Sequence, residues 1–107
     1  MENEDQAMQL IVHAGNAKSL AMEAIKEAKK GNHSAAEKKL DECEDALSAA
    51  HIQLTDILQY SLENIDSKAN MLMVHAQDHL MNAITTNDLA REFCDLYRMI
   101  HQLGIAK

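Results

Sequence analysis

No proline occurs anywhere in the 107 residues, so nowhere is φ fixed by a ring or a backbone N–H missing from a helix interior. Glycine, the other strong helix breaker, occurs three times. Ala, Leu, Met, Glu and Lys dominate, and these side chains lose little rotamer freedom in a helix. No run alternates Val, Ile and aromatics for long enough to nominate a strand. The chain is therefore expected to be all-α. Its length supports one adequate core and not two, so residues 1–107 are read as a single domain, with residues 1–4 as a flexible tail.

The formal charge of -7 argues against a nucleic-acid binder, which needs clustered Lys and Arg to displace counterions from phosphates. The apolar stretches are far shorter than a bilayer span, and Met1 to Gln6 is polar and acidic, unlike a signal peptide. A cytoplasmic protein with no membrane insertion is expected. Of the two cysteines, Cys94 lies in an apolar pattern, which predicts two buried free thiols in a reducing compartment.

Three amphipathic segments follow from the spacing of apolar residues. The first runs from about Asp5 to Lys30, with stripe Leu10, Ala14, Ala17, Ala21, Ala24 and Ala28, flanked by Ile11 and Ile25. Lys29-Lys30 before Gly31-Asn32 is a C-terminal signal. Ser34 or Asn32 then caps the second segment, with Glu37 placed to close a capping box with Ser34. That segment runs to about Tyr60 on Ala36, Leu40, Cys43, Leu47, Ala50, Leu54 and Ile57. The polar stretch Glu63 to Ser67 is the second turn. The third segment runs from about Ser67 or Lys68 to Leu103, on Ala69, Met73, Ala76, Leu80, Ala83, Asn87, Ala90, Cys94 and Tyr97. A repeat near 3.5 residues in all three predicts an antiparallel up-down-up three-helix bundle with near-parallel axes.

The third segment has one apolar stripe too many. Met71, Val74, Met81 and Thr85 form a second stripe about 160° from the first. A helix buried on both sides needs a partner on one of them, which predicts self-association. Asp78 lies within this second stripe. In a cyclic assembly its copies meet at the axis and repel unless a divalent cation with oxygen ligands separates them. An ordinary exposed aspartate on a weakly apolar face fits the spacing equally well.

Between the two apolar stripes lies a third: His75, His79, Asn82 and Thr86. Two histidines one turn apart admit three readings: a transition-metal chelate, incidental surface residues, or a nucleophile with an assistant. The H-E-x-x-H metalloprotease signature fails, because Ala76 stands where the glutamate belongs. Periodicity alone does not choose among the three.

The segment Val74-His75-Ala76-Gln77-Asp78-His79-Leu80-Met81 resembles the active-site segment of the lactose/cellobiose family of enzyme IIA components, which belong to the phosphoenolpyruvate-dependent sugar phosphotransferase system. Ala14-Gly15-Asn16-Ala17-Lys18-Ser19 is similar to the family's first-helix segment. Lys30-Gly31-Asn32 falls at its first turn, and Ala50-His51 with Gln53 and Thr55 resembles the end of its second helix. The resemblance covers nearly the whole chain in order. It implies that His75 is the phosphorylated histidine, that Gln77 and His79 line or support the site, and that Asp78 is a metal ligand on the threefold axis of a homotrimer. Mg²⁺ is the expected ion, one per trimer, since it suits carboxylate and water ligands. The implied donor is the phosphocarrier protein HPr, and the implied acceptor is a cysteine of the cognate enzyme IIB. The chain departs from the family in a shorter second turn, about Tyr60 to Ser67. Val74-His75-Ala76 looks more like cellobiose or chitobiose proteins than lactose ones, which tend to carry Met-His-Gly, so a β-glucoside disaccharide such as cellobiose is the expected cargo of the system.

The remaining histidines read more plainly: His13, His33 and His101 as surface or helix-end residues, and His51 as a packing residue near the site. The methionines are expected to fill core and interface. Two other functions compete. A histidine phosphotransfer domain of two-component signalling is also helical, but it carries a lysine and then a glycine soon after its histidine, and Asp78-His79-Leu80 does not fit. A non-catalytic helical interaction module leaves the histidines incidental.

Overall fold

The computed structural model describes the backbone of residues 2–63 and 67–104, and the side chains of these except residues 2–4, 58, 60–63 and 67–70. Three helices account for almost all of it: α1 (Glu2–Lys29), α2 (His33–Glu63) and α3 (Ser67–Gln102). No strand occurs among the described residues. The molecule measures 57 × 17 × 16 Å. The long axis matches the 36 residues of α3, which at 1.5 Å per residue span about 54 Å. A cross-section this narrow leaves the three axes nearly parallel.

The core is built from the expected stripes. Leu10, Ala14, Ala17, Ala21, Ala24 and Ala28 of α1 are buried, joined by Ala7 one turn earlier. From α2 come Ala36, Leu40, Cys43, Leu47, Ala50, Leu54 and Ile57; from α3 come Met73, Ala76, Leu80, Ala83, Ala90 and Cys94. Ala69, expected to open the α3 stripe, has a side chain outside the described residues. The alanine stripe on α1 is thin, so α2 and α3 both lie close against it and touch each other least. Among the described residues Asn87 is the one buried polar residue, with its Oδ1 lacking a partner. Among the described methionines only Met73 is buried, while Met8, Met22, Met71, Met81 and Met99 are exposed.

Cross-helix pairs fix the register. Gln53 of α2 reaches Gln9 of α1 at 3.3 Å, and Lys39 reaches Glu23 at 3.6 Å. Arg91 of α3 holds Glu44 at 2.8 Å and Asp41 at 3.7 Å, and Arg98 holds Glu37 at 3.3 Å. These pairs are half in water and each contributes little, on the order of tenths of a kcal/mol.

The end of α1 follows its sequence signal. Gly31 takes φ 91°, its N–H donates to the Ala28 carbonyl at 3.0 Å, and Asn32 N–H donates to the Glu27 carbonyl at 2.9 Å. This is the Schellman pattern. α2 begins at His33, which puts Asn32 and not Ser34 at its N-cap. The capping box expected between Ser34 and Glu37 does not form, because Glu37 points across the bundle to Arg98. α1 starts at Glu2, ahead of the predicted Asp5. α2 extends to Glu63, past the predicted Tyr60. The rest of the second turn, expected to be shorter than in the resembling family, lies outside the described residues.

Candidate functional site

A straight, unbroken α3 carries His75 and His79 on one face, because residues four apart stack one turn above each other. Their Nε2 atoms are 3.1 Å apart and their rings meet edge to face, with centroids 4.5 Å apart and planes at 90°. One ring nitrogen must therefore carry the proton that the other accepts. His75 is exposed and His79 half-buried, so the pair opens to solvent on the His75 side. Asn82 and Thr86 continue the stripe, the Thr86 hydroxyl donating to the Asn82 carbonyl at 2.8 Å.

Further along this face the stripe runs into a groove between α1 and α3 of about 420 Å³. Lys18 and Met22 line it from α1, and Thr86, Leu89, Phe93 and Tyr97 from α3. Phe93 is the only phenylalanine in the chain and is 46 % exposed. It stands 18 residues after His75, five helical turns, and so shares its face. The motif alone did not point to Phe93. Its signal was the phase of a lone large aromatic against the histidine stripe.

The other motif residues divide by direction. Asp78 is exposed, on the flank where Met71 is 77 %, Val74 66 % and Met81 48 % exposed. Gln77 is half-buried, and at about 100° per residue it lies about 160° around α3 from His75. Within one chain the fold brings His79 to His75 and leaves Gln77 on another side. No group of three or more His, Cys, Asp or Glu side chains suited to one metal ion occurs among the described residues.

His51 sits elsewhere. It lines a groove of about 520 Å³ between α2 and α3 with Leu47, Ile52 and Ile84. Ile84 is nine residues along α3 from His75, about 13 Å at helical rise. At the far end of the bundle His33 and His101, expected as unremarked helix-end residues, form a part-buried pair with ring nitrogens 2.9 Å apart.

Comparison with known proteins places this geometry among phosphotransferase components. The family model described as "PTS system, Lactose/Cellobiose specific IIA subunit" matches residues 5–98. The lichenan-specific phosphotransferase enzyme IIA component of Bacillus subtilis is 46 % identical over 99 residues, covering 92 % of this chain and 90 % of that protein. The crystal structure of the cellobiose-specific enzyme IIA from Bacillus anthracis superposes with a TM-score of 0.86 at 39 % identity, over 95 % of this chain and 94 % of that one. The IIA(chitobiose)–HPr complex of Escherichia coli matches with a TM-score of 0.81 at 32 % identity, over 94 % and 98 % of the two chains.

Proposed function

This chain belongs to the lactose/cellobiose-specific IIA family of the sugar phosphotransferase system, and on that footing we propose that His75 is its phosphoryl carrier. As an enzyme IIA component it is a phosphotransferase. The observation that carries the assignment is the exposed His75 imidazole with its Nε2 held by His79 at 3.1 Å.

In this reading His79 Nε2–H donates to Nε2 of His75, which leaves that nitrogen unprotonated and therefore the nucleophile. The His75 lone pair attacks the phosphorus carried by HPr. A P–N bond to His75 forms as the bond from phosphorus to the donor side chain breaks, and the His79 N–H, keeping its proton, turns its hydrogen bond from the His75 nitrogen to a phosphoryl oxygen. A cysteine thiolate of enzyme IIB then attacks the same phosphorus, forming P–S as P–N breaks. Transfer of this kind depends on alignment and charge stabilisation, which a rigid helix supplies. Gln77 would support the site from a neighbouring copy or a docked partner, since it faces away within its own chain. HPr and enzyme IIB must both reach one atom, so both dock on the face of His75, with the groove at Lys18, Leu89 and Phe93 beside it. The complex of a related IIA with HPr supports the first partner.

The same reading includes an up-down-up course of the helices, which the pairs Gln9–Gln53, Glu23–Lys39 and Glu44–Arg91 support. It also includes a homotrimer joined along the exposed Met71, Val74 and Met81 flank. One Asp78 is too few ligands for an ion, so a divalent cation, Mg²⁺ by its oxygen preference, fits only where the carboxylates of three copies converge. The protein is proposed to work in the cytoplasm; no helix among the described residues is long and apolar enough to cross a membrane. Its system would import a β-glucoside disaccharide such as cellobiose, supported by the cellobiose-specific structural relative.

Incubation with phosphoenolpyruvate, enzyme I and HPr tests the carrier. The expected product is one acid-labile phosphate per chain that His75→Ala abolishes. Phosphate that persists in His75→Ala, or none in the wild type, refutes the assignment.

A further inference from the structure

We propose that the His75–His79 pair is also a chelating site for a transition-metal ion such as Zn²⁺, and that metal bound there switches off phosphoryl acceptance. The regulatory half of this inference rests on the phosphocarrier reading; the binding half stands on geometry alone.

The two Nε2 atoms face each other at 3.1 Å. An ion bound by imidazole sits about 2.0–2.1 Å from each nitrogen. Those lengths close a triangle with an N–metal–N angle of about 98°, between the square-planar and tetrahedral values. The separation of the two nitrogens therefore fits an ion, with each ring turning about its side-chain bonds until its lone pair points at the ion. The perpendicular ring planes keep the imidazoles from colliding across it. Both residues lie on consecutive turns of one helix, so little chain entropy is lost in bringing them together.

The protons balance as well. In the metal-free pair one Nε2 carries a hydrogen that the other accepts. To bind an ion, the donor ring shifts its proton from Nε2 to Nδ1, and both Nε2 lone pairs become available. No net proton is released. Neither ring has a buried nitrogen without a partner, so the relocated N–H is not stranded. His75 is exposed, which leaves the rest of the coordination sphere open to water.

The consequence for transfer follows from the imidazole itself. A neutral ring has one basic lone pair. With the ion on Nε2, Nδ1 bears hydrogen, and the ring has no nitrogen left to attack phosphorus. Coordination and phosphorylation compete for the same electrons, so each lowers the affinity for the other. The site differs from the axial one at Asp78 in ligand type and in direction: nitrogen donors facing the groove, against carboxylate oxygens on the exposed apolar flank.

Calorimetric titration with Zn²⁺ of the wild-type chain, His75→Gln and His79→Gln tests the binding half, with circular dichroism showing that each variant keeps its helices. Histidine ring ¹⁵N shifts in the wild type give the same answer without a substitution. His33 and His101, 2.9 Å apart at the opposite end, are unchanged in all three proteins, so the difference reports this pair. Changing a residue that merely supports a ligand costs about 10–100-fold in metal affinity, so removing either imidazole is expected to cost at least about tenfold. Identical titrations for the three proteins, or ¹⁵N shifts that leave the Nε2 atoms of His75 and His79 untouched, overturn the site. For the regulatory half, transfer from phospho-HPr freed of enzyme I is followed with and without Zn²⁺, each protein against its own metal-free rate. Zinc is expected to slow the wild type at least about tenfold more than His79→Gln. Equal slowing of the two overturns the switch. A wild type that binds zinc through both rings yet takes no phosphate even without metal refutes the carrier and leaves the metal site standing.

Discussion

Cys43 is fully buried against α1, its Sγ–H donating to the Ala17 carbonyl at 3.1 Å. Burial pushes the thiol above its ordinary range, and the neighbouring Glu44 adds to the effect, against smaller opposing contributions from Arg91 and a backbone hydrogen bond. Cys94 is raised in the same way, by burial and then by Asp95. Both thiols are free, as the composition suggested. The consequence for stability has a definite sign. Above the unfolded thiol value, about 8.5, the unfolded chain gives up a proton that the folded chain keeps. Stability from this source is therefore complete below that value and is lost as pH rises from there through the raised value of the folded thiol. Urea midpoints should be level from pH 7 to 8 and fall beyond about pH 8.5. Cys43→Ala, which sacrifices packing worth about 1 kcal/mol, should show a shallower fall. Equal slopes for the two proteins would remove the thiol as the cause. His75 is the counterpart at this scale: a side chain kept exposed, where partners can reach its nitrogen.

At the scale of the helix, two glycines carry opposite expectations. Gly31 closes α1 at φ 91°, and a Cβ added there would meet His101 at an ordinary 3.9 Å. The cost of Gly31→Ala is thus conformational, about 1–2 kcal/mol for an L-residue in the left-handed region. Gly15 lies within α1, and an added Cβ would meet nothing within 4 Å. Gly15→Ala should raise stability by about 0.5–1 kcal/mol, through helix propensity alone. Chemical denaturation of both variants reads the two signs, and a stabilised Gly31→Ala would refute the Schellman account. Much at this scale was legible in the sequence, because each buried stripe is a periodic signal strong enough to survive local noise. Leu40, Cys43, Leu47 and Ala50 are buried as their spacing requires, and the α3 stripe from Met73 to Cys94 is buried likewise. Helix starts were less legible, since Asn32 and Ser34 are both good caps and only the partner of Glu37 decides between them. The His33–His101 pair left no trace in the pattern: 68 residues separate the two rings, and contact across that distance is a product of the whole fold. The same holds for Arg91 and Arg98, whose carboxylate partners on α2 are set by register and not by neighbourhood.

For the molecule as a whole, the second flank of α3 bears on how many copies work together. The 3.6-residue period exposed the second flank of α3 in advance, and the structure leaves Met71, Val74 and Met81 in water around the exposed Asp78. Scattered apolar residues on a surface need no explanation, but a phased row on a helix that is already packed on its other side does. The charge balance sharpens the point. Each chain carries a formal -7, so chains associating through this flank bring net repulsion, and Asp78 concentrates it where the copies come nearest. Carboxylates that close repel by a few kcal/mol at an effective dielectric near 20, enough to govern assembly unless a cation neutralises them. If association rests on the apolar row and is opposed only by these carboxylates, removing the charge should relieve the need for the ion. Sedimentation of the wild type is expected to show a trimer with Mg²⁺ and smaller species in EDTA. Asp78→Leu should remain a trimer in both conditions, since leucine joins the apolar row and leaves nothing to neutralise. A variant that sediments as a monomer in magnesium and in EDTA alike would show that the carboxylate does not meet its copies, and the axial assembly would have to be abandoned.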